Sequence, residues 1–273
     1  KRMALLFIVL FSAPAAAQSE NTQFDLTLSP PPLGNPSYGG AVFDQRSAGG
    51  GKGVGHTEIG GALSRGSTQN VSVFALGAQG AYRWVHGAYG VRVPAAIGAA
   101  FGDAFDSGFS GYGFSLGALV DVNLIAFDWG SIQLFGGYGL EGSVAQFTRT
   151  AIRGDTDITA FTLAHGPRLG IQGAIAVTDT IVLSPFYSFW SLSGRTEQSI
   201  DGPTFSGFLD SLDLPRISRG QLGLDVEYVP LGISLSAIQQ LASTETDVER
   251  VEFFTLQLSF KFPSSVPAET VEE

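Results

Sequence analysis

The chain has 273 residues, including 36 glycines, 21 phenylalanines and no cysteine, and only 15% of it is charged, where a soluble domain usually carries about 25%. Without cysteine there is no disulfide framework and no lipoprotein anchor, and a formal net charge of −10 argues against nucleic acid as a partner. Beyond residue 17 no run approaches the roughly 20 apolar residues that a membrane helix needs.

Residues 1–17 read as a cleaved signal peptide: Lys1 and Arg2 supply the charged start, Ala4 to Phe11 an apolar run too short to span, and Ala15-Ala16-Ala17 a small-residue cleavage site. Residues 18–53 are a different material, with Pro30-Pro31-Pro32, Gly34, Pro36 and Gly49-Gly50-Gly51, and read as a lead segment or a plug. Lys52 in that glycine run does not make a phosphate loop, because Gly53 stands where a Mg²⁺-binding hydroxyl is required.

From residue 54 the pattern changes to alternation with a period of two, one set of side chains for each face of a strand. Ten strands are predicted, at 54–64, 71–83, 88–100, 112–126, 131–147, 161–177, 181–193, 219–229, 231–242 and 251–262, with eight or twelve as the other readings. Phe74, Leu76, Ala78, Gly80, Tyr82 and Trp84 share one face of the second strand, and Ala75, Gly77, Gln79, Ala81 and Arg83 the other. The fourth repeats this with Tyr112, Phe114, Leu116, Ala118, Val120, Val122 and Leu124, and Leu119 is the sole large apolar residue on its polar face. Leu222, Leu224, Val226 and Tyr228 continue the rule in the eighth strand.

Alternation alone does not separate a soluble sandwich from a barrel. Three features favour a closed antiparallel transmembrane β-barrel. The predicted strands exceed the 5 or 6 residues typical of soluble sheets and suit a tilted crossing of about 9 to 11. Glycine recurs on the polar face, as a narrow lumen requires. Aromatic residues gather near strand ends, where Tyr82, Trp84, Trp129 and Trp190 are read as an interfacial girdle. Short connections at Trp84 to Gly87, Phe127 to Gly130, Thr178 to Thr180 and Pro230 alternate with longer ones at Phe101 to Gly111, Thr148 to Ala160 and Gly194 to Ser218, so both termini fall on the short-turn side.

The last predicted strand, with Phe254, Leu256, Leu258, Phe260 and Phe262 alternating against Thr255, Gln257, Ser259 and Lys261, resembles the C-terminal assembly signal of Gram-negative outer-membrane β-barrel proteins. The resemblance extends to the signal peptide and the strand-loop rhythm. It implies an outer-membrane location, contact with outer-membrane lipid and lipopolysaccharide, and handling by the outer-membrane assembly machinery, with an envelope protein as a further partner. The acidic stretch Pro263 to Glu273 departs from it, since the family usually stops at the aromatic residue, and reads as a disordered tail.

The chemistry is sparse. His56, His86 and His165 lack the serine two residues away that outer-membrane lipid deacylases resemble one another in having, and no Asp-x-His element like that of the omptin proteases is present. His56 and Glu58 share a strand face, Asp155 and Asp157 form an acidic loop pair with no metal site implied, and His165-Gly166-Pro167-Arg168 marks a bend. No cofactor and no enzymatic activity are expected. The charges Arg83, Arg92, Asp121, Glu141, Arg168, Asp225, Glu227 and Lys261 are predicted to meet in one lumen and pair there. Phe101, Phe105 and Phe109 recur in one long connection, and Phe205, Phe208, Leu209, Leu212 and Leu214 are expected to form a short amphipathic helical turn in another. These apolar loops are the expected partner-binding surface of a structural, adhesive or assembly-partner protein. A narrow channel for small or apolar solutes is the second reading and a lipid-modifying enzyme the third.

Overall fold

A computed structural model describes residues 54–67, 71–104, 107–127, 129–151, 154–201, 206–244 and 252–264. The stretches read as a signal peptide (1–17) and as a lead segment or plug (18–53), and the greater part of the acidic stretch read as a disordered tail, lie outside the described residues.

Ten antiparallel strands follow one another around a closed barrel: β1 (Val54–Ser67), β2 (Val71–His86), β3 (Tyr89–Ala104), β4 (Ser107–Phe127), β5 (Gly130–Ala151), β6 (Gly154–Ala176), β7 (Ile181–Asp201), β8 (Ser206–Tyr228), β9 (Ile233–Thr244) and β10 (Glu252–Ser264). Each strand pairs with its chain neighbours, and β10 returns to β1 in register from Gly55↔Ser264 to Ser67↔Glu252. Closure satisfies every edge, the condition for a sheet to cross hydrocarbon.

The period-two pattern determines which way each side chain points. Ile59, Leu76, Ile97, Leu116, Leu134, Leu169, Phe189, Leu224, Leu235 and Leu258, one from each strand, are all exposed on the outside, while Ala62, Gln79, Arg92, Gln133, Gln172, Gln240 and Gln257 are buried inside. An apolar exterior around a polar interior is the inverse of a soluble protein and makes this a transmembrane barrel.

At one end the connections are tight turns. Gly87 and Gly232 adopt the left-handed conformation, with φ of 59° and 60°, which costs a glycine nothing. The 3-10 turn Val229–Leu231 follows β8, with Pro230 in its first turn, where a missing N–H does no harm. These turns are knitted to adjacent hairpins by Asn123 N–H to Ala88 O at 2.8 Å, Val229 N–H to Thr180 O at 2.9 Å and Lys261 N–H to Gly232 O at 2.7 Å.

At the other end the sequence reading needs correction. Much of the stretches read as long connections is strand: β3 runs on to Ala104, β4 starts at Ser107, β5 ends at Ala151, β6 starts at Gly154, β7 ends at Asp201 and β8 starts at Ser206. Phe208 and Leu212 therefore lie in β8, paired with Ser199 and Thr196, and not in a helical turn. Phe101 lies in β3 opposite Phe74, and Phe109 in β4 opposite Phe147; Phe105 and Phe205 fall outside the described residues. The outward side chains change character along these strands. On β7, Tyr187 and Phe189 give way to Ser193, Arg195 and Glu197, and on β6, Leu163 and Phe161 give way to Thr159 and Asp157. Beyond the apolar belt the outward residues are polar like the inward ones, so the alternation that marks a strand disappears from the sequence. The strands from β4 to β8 have 21 to 23 residues, against 14, 12 and 13 for β1, β9 and β10. The barrel wall is thus much taller on one side.

Candidate functional site

The lumen is where the predicted charges converge. Arg83, Arg92, Asp121, Glu141, Arg168, Asp225 and Glu227 are all buried, and so is Arg219, which the sequence reading passed over because it began the eighth strand there. The face it shares with Gln221, Gly223 and Asp225 carried the signal.

Near the tight turns, Arg92 from β3 donates to Asp121 of β4, and Arg83 from β2 lies 3.4 Å from the same carboxylate while its Nη2 donates to Gln133 at 3.2 Å. Lys261 Nζ donates to Glu227 at 2.7 Å across β10 and β8, and Ser236 to Asp225 at 2.7 Å. His56 and Glu58 face inward beside this group, with His56 opposite Arg83 in register.

An apolar layer adjoins these charges. Leu119, the intruder on the polar face of β4, is buried with Phe135, Phe186 and Ile238. The rings have room because glycines oppose them: a Cβ on Gly170 would sit 2.2 Å from Phe135, and one on Gly223 would sit 2.3 Å from Phe186. The bias of glycine to the polar face is thus an accommodation of lumen rings. Arg92 lies over the Phe135 ring at 5.1 Å, a cation–π contact joining the layers.

The second polar layer lies further from the turns. Arg219 donates to Glu141, joining β8 to β5 across the lumen. Arg168 donates to Gln221 at 2.8 Å and to Ser188 at 3.4 Å, and Gln221 in turn donates to Gln240 at 3.3 Å. Trp190 belongs here and not to the girdle: it is buried, its indole N–H donates to the Gly166 carbonyl at 3.3 Å, Arg168 covers its ring at 5.1 Å, and its ring lies against Gly139. The reason is phase. Val182, Ser184, Phe186, Ser188 and Trp190 form the inward set of β7, and a strand that continues to Asp201 puts Trp190 in its middle. The outward aromatics there are Tyr187 and Phe189. Tyr82, Trp84 and Trp129 are exposed on the outer face, with Trp84 stacked on His86 and Trp129 on Phe127. Phe254, Leu256, Leu258, Phe260 and Phe262 line the outer face of β10.

Together these layers fill the barrel. A water-filled pore would leave its lining exposed, yet Arg92, Gln133, Gln172 and Gln257 are no more than 2% exposed and Asp225 and Ser184 are at 0%. His165 faces outward, where the Tyr138 hydroxyl meets its Nδ1. The β6–β7 ladder is interrupted beside it, passing from His165↔Ser193 to Arg168↔Trp190, as expected for Pro167, which has no N–H to give. Among the described residues no group of three His, Asp or Glu side chains is placed to hold a metal.

No family model and no curated protein matches the chain. Solved structures match in shape. The outer-membrane protease OmpT from Escherichia coli superposes with a TM-score of 0.51 at 9% identity, over 77% of this chain and 97% of that one. The translocator domain of the autotransporter NalP from Neisseria meningitidis gives 0.48 at 11% identity, over 76% and 88%. The toluene transporter TodX from Pseudomonas putida gives 0.38 at 10% identity, over 86% and 81%. Such identities speak to fold alone. The fold of this chain is that of the Gram-negative outer-membrane β-barrel proteins, in a closed ten-stranded antiparallel form.

Proposed function

We propose that the protein is a non-enzymatic surface barrel that acts through the raised hairpins of β4 to β8, with its lumen serving as a rigid core and not as a conduit. The observation that carries this reading is the contrast between the two parts. The interior is cross-braced by buried ion pairs, Arg219 of β8 with Glu141 of β5 across the lumen and Arg92 with Asp121 between the neighbouring strands β3 and β4, whereas β5 to β8 continue well beyond the apolar belt. A braced barrel holds such hairpins in fixed relative positions, and a binding surface gains from that preorganisation. The partner is a component of the cell envelope or of a neighbouring surface. Orientation follows from the resemblance, which puts the tight turns in the periplasm and the raised wall outside.

The test separates display from conduction. Purified protein reconstituted in a planar bilayer should give no stepwise conductance. Cells carrying a chain with β7 and β8 shortened by residues 195–212 should keep a heat-modifiable barrel and lose attachment to the partner surface. Stepwise ion conductance by the intact protein would overturn the reading.

A further inference from the structure

Pro94, Pro167, Pro185 and Pro215 each stand where the ladder between two strands is interrupted. At Pro167 and Pro185 the wall stays shut by contact: Gly166 presses on the Ser191 carbonyl, where a Cβ would sit at 1.7 Å, and Ser184 beside Pro185 is at 0% exposure. Pro94 is different. The β3–β4 ladder passes from Arg92↔Leu119 to Ala95↔Leu116, leaving Val93 and Pro94 without partners opposite Ala118 and Gly117. Pro94 has no N–H to bridge the strands, and Gly117 presents no side chain to fill the break. A cleft lies here, and its lining includes the outward-facing Leu116 and Tyr138 together with the inward-facing Gln79, Leu119 and Trp190. It therefore runs from the membrane face towards the lumen, and in this state it has room for little more than a water.

At the inner end stands Gln79, whose amide, like that of Gln172 elsewhere in the lumen, makes no hydrogen bond among the described residues. Gln79 is 93% buried, being 7% exposed, and neither its Nε2 nor its Oε1 has a hydrogen-bond partner among the described residues. A buried amide with both ends unsatisfied costs on the order of 1–3 kcal/mol per group, so this position is poised for a ligand that both donates and accepts.

We propose that the Pro94–Gly117 break is a lateral portal that seats a single-chain amphiphile drawn from the membrane, its head group bonded to Gln79 and its chain lying past Leu119 and Trp190 towards Leu116. The head is a primary alcohol or a carboxylic acid in its protonated form, since each offers one donor and one acceptor to the amide. The ligand has one chain, because a break of two register positions separates the strands too little for a two-chain lipid. The site is independent of the raised hairpins and compatible with a lumen closed along its axis.

The three tryptophans of the chain allow a direct test. In a Trp84→Phe/Trp129→Phe background Trp190 is the only indole, and dodecanoic acid brominated on its chain should quench it saturably. Gln79→Leu should weaken that binding about tenfold, the value of one to two hydrogen bonds. A Val93→Cys/Ala118→Cys disulfide should abolish it until reduced, and Gly117→Val, which fills the cleft without a cross-link, should abolish it in either redox state. Heat-modifiable migration confirms that each variant is a folded barrel. Quenching that rises linearly with the acid and is the same in all variants would be partition into detergent, and no quenching would mean that the cleft holds only water; either overturns the proposal.

Discussion

Asp121 receives two arginines from different strands, with Arg92 donating to one oxygen and Arg83 lying 3.4 Å from the other, and all three are buried. Two guanidiniums converging on one carboxylate are tolerable only while that carboxylate is charged. Breaking such a pair from one side typically costs about 3–5 kcal/mol. Asp121→Asn should therefore destabilise the barrel by about that amount, read as a lower urea midpoint for the shift from folded to unfolded gel migration. The uncharged double variant Asp121→Asn/Arg92→Leu should recover part of the loss. The glycines opposite the lumen rings make a second prediction at this scale. A Cβ on Gly139 would meet the Trp190 ring at 2.4 Å, so Gly139→Val should displace the indole and cost about 1–3 kcal/mol. Trp190 emission should shift to the red as the ring loses its packing. Had the ring stood in the outer girdle, that substitution would leave its emission unchanged.

The strands are where the sequence was most and least readable. Phe254 to Phe262 and, but for Leu119, Tyr112 to Leu124 alternate because lipid lies on one face and a crowded polar lumen on the other, and the observed faces follow that alternation. The same physics hid the upper parts of β5 to β8. There the described outward residues Asp157, Thr159, Arg195 and Glu197 are as polar as the inward Thr196, so Thr148 to Ala160 and Gly194 to Ser218 carry no period and read as loops. Trp190 was misplaced for a related reason: with the end of β7 set at residue 193, a mid-strand lumen residue looked like a terminal one. No pattern in a single chain could have revealed the Arg219–Glu141 bridge or the empty Gln79 amide, which depend on how strands far apart in sequence come to face one another. The upper edge of the apolar belt can be located by substitution on one face of β6. Leu169 and Thr159 point the same way, but Leu169 sits among apolar neighbours and Thr159 lies past Phe161. Leu169→Lys should cost about 2–4 kcal/mol and Thr159→Lys no more than about 1 kcal/mol, measured by urea titration of the protein folded into lipid vesicles. Equal costs would mean that the hydrocarbon boundary is not where the outward residues turn polar.

Closure is a property of the whole molecule, and it rests on one seam between strands at opposite ends of the barrel domain. In an open sheet β1 and β10 would both present unpaired backbone to lipid, at several kcal/mol for each unsatisfied group, so neither strand is optional. The register of the seam is specific enough to test, because the Ser64 hydroxyl lies 2.7 Å from that of Thr255 across it and the chain has no cysteine of its own. Replacing both with cysteine should give a disulfide on mild oxidation once the protein has folded into lipid, turning the barrel domain into a covalent ring. Boiled without reductant, that chain should migrate faster than its reduced form. Ser259 faces inward on the same strand but pairs with Gly60, four positions from Ser64. That offset of roughly 13 Å along the strand exceeds what a disulfide can bridge, so Ser64→Cys/Ser259→Cys should stay reduced under the same conditions. Cross-linking of the second pair and not the first would place β10 in another register. Cross-linking of neither would leave the barrel without its seam, and with it the inward and outward assignments on which the lumen, the belt and the lateral cleft depend.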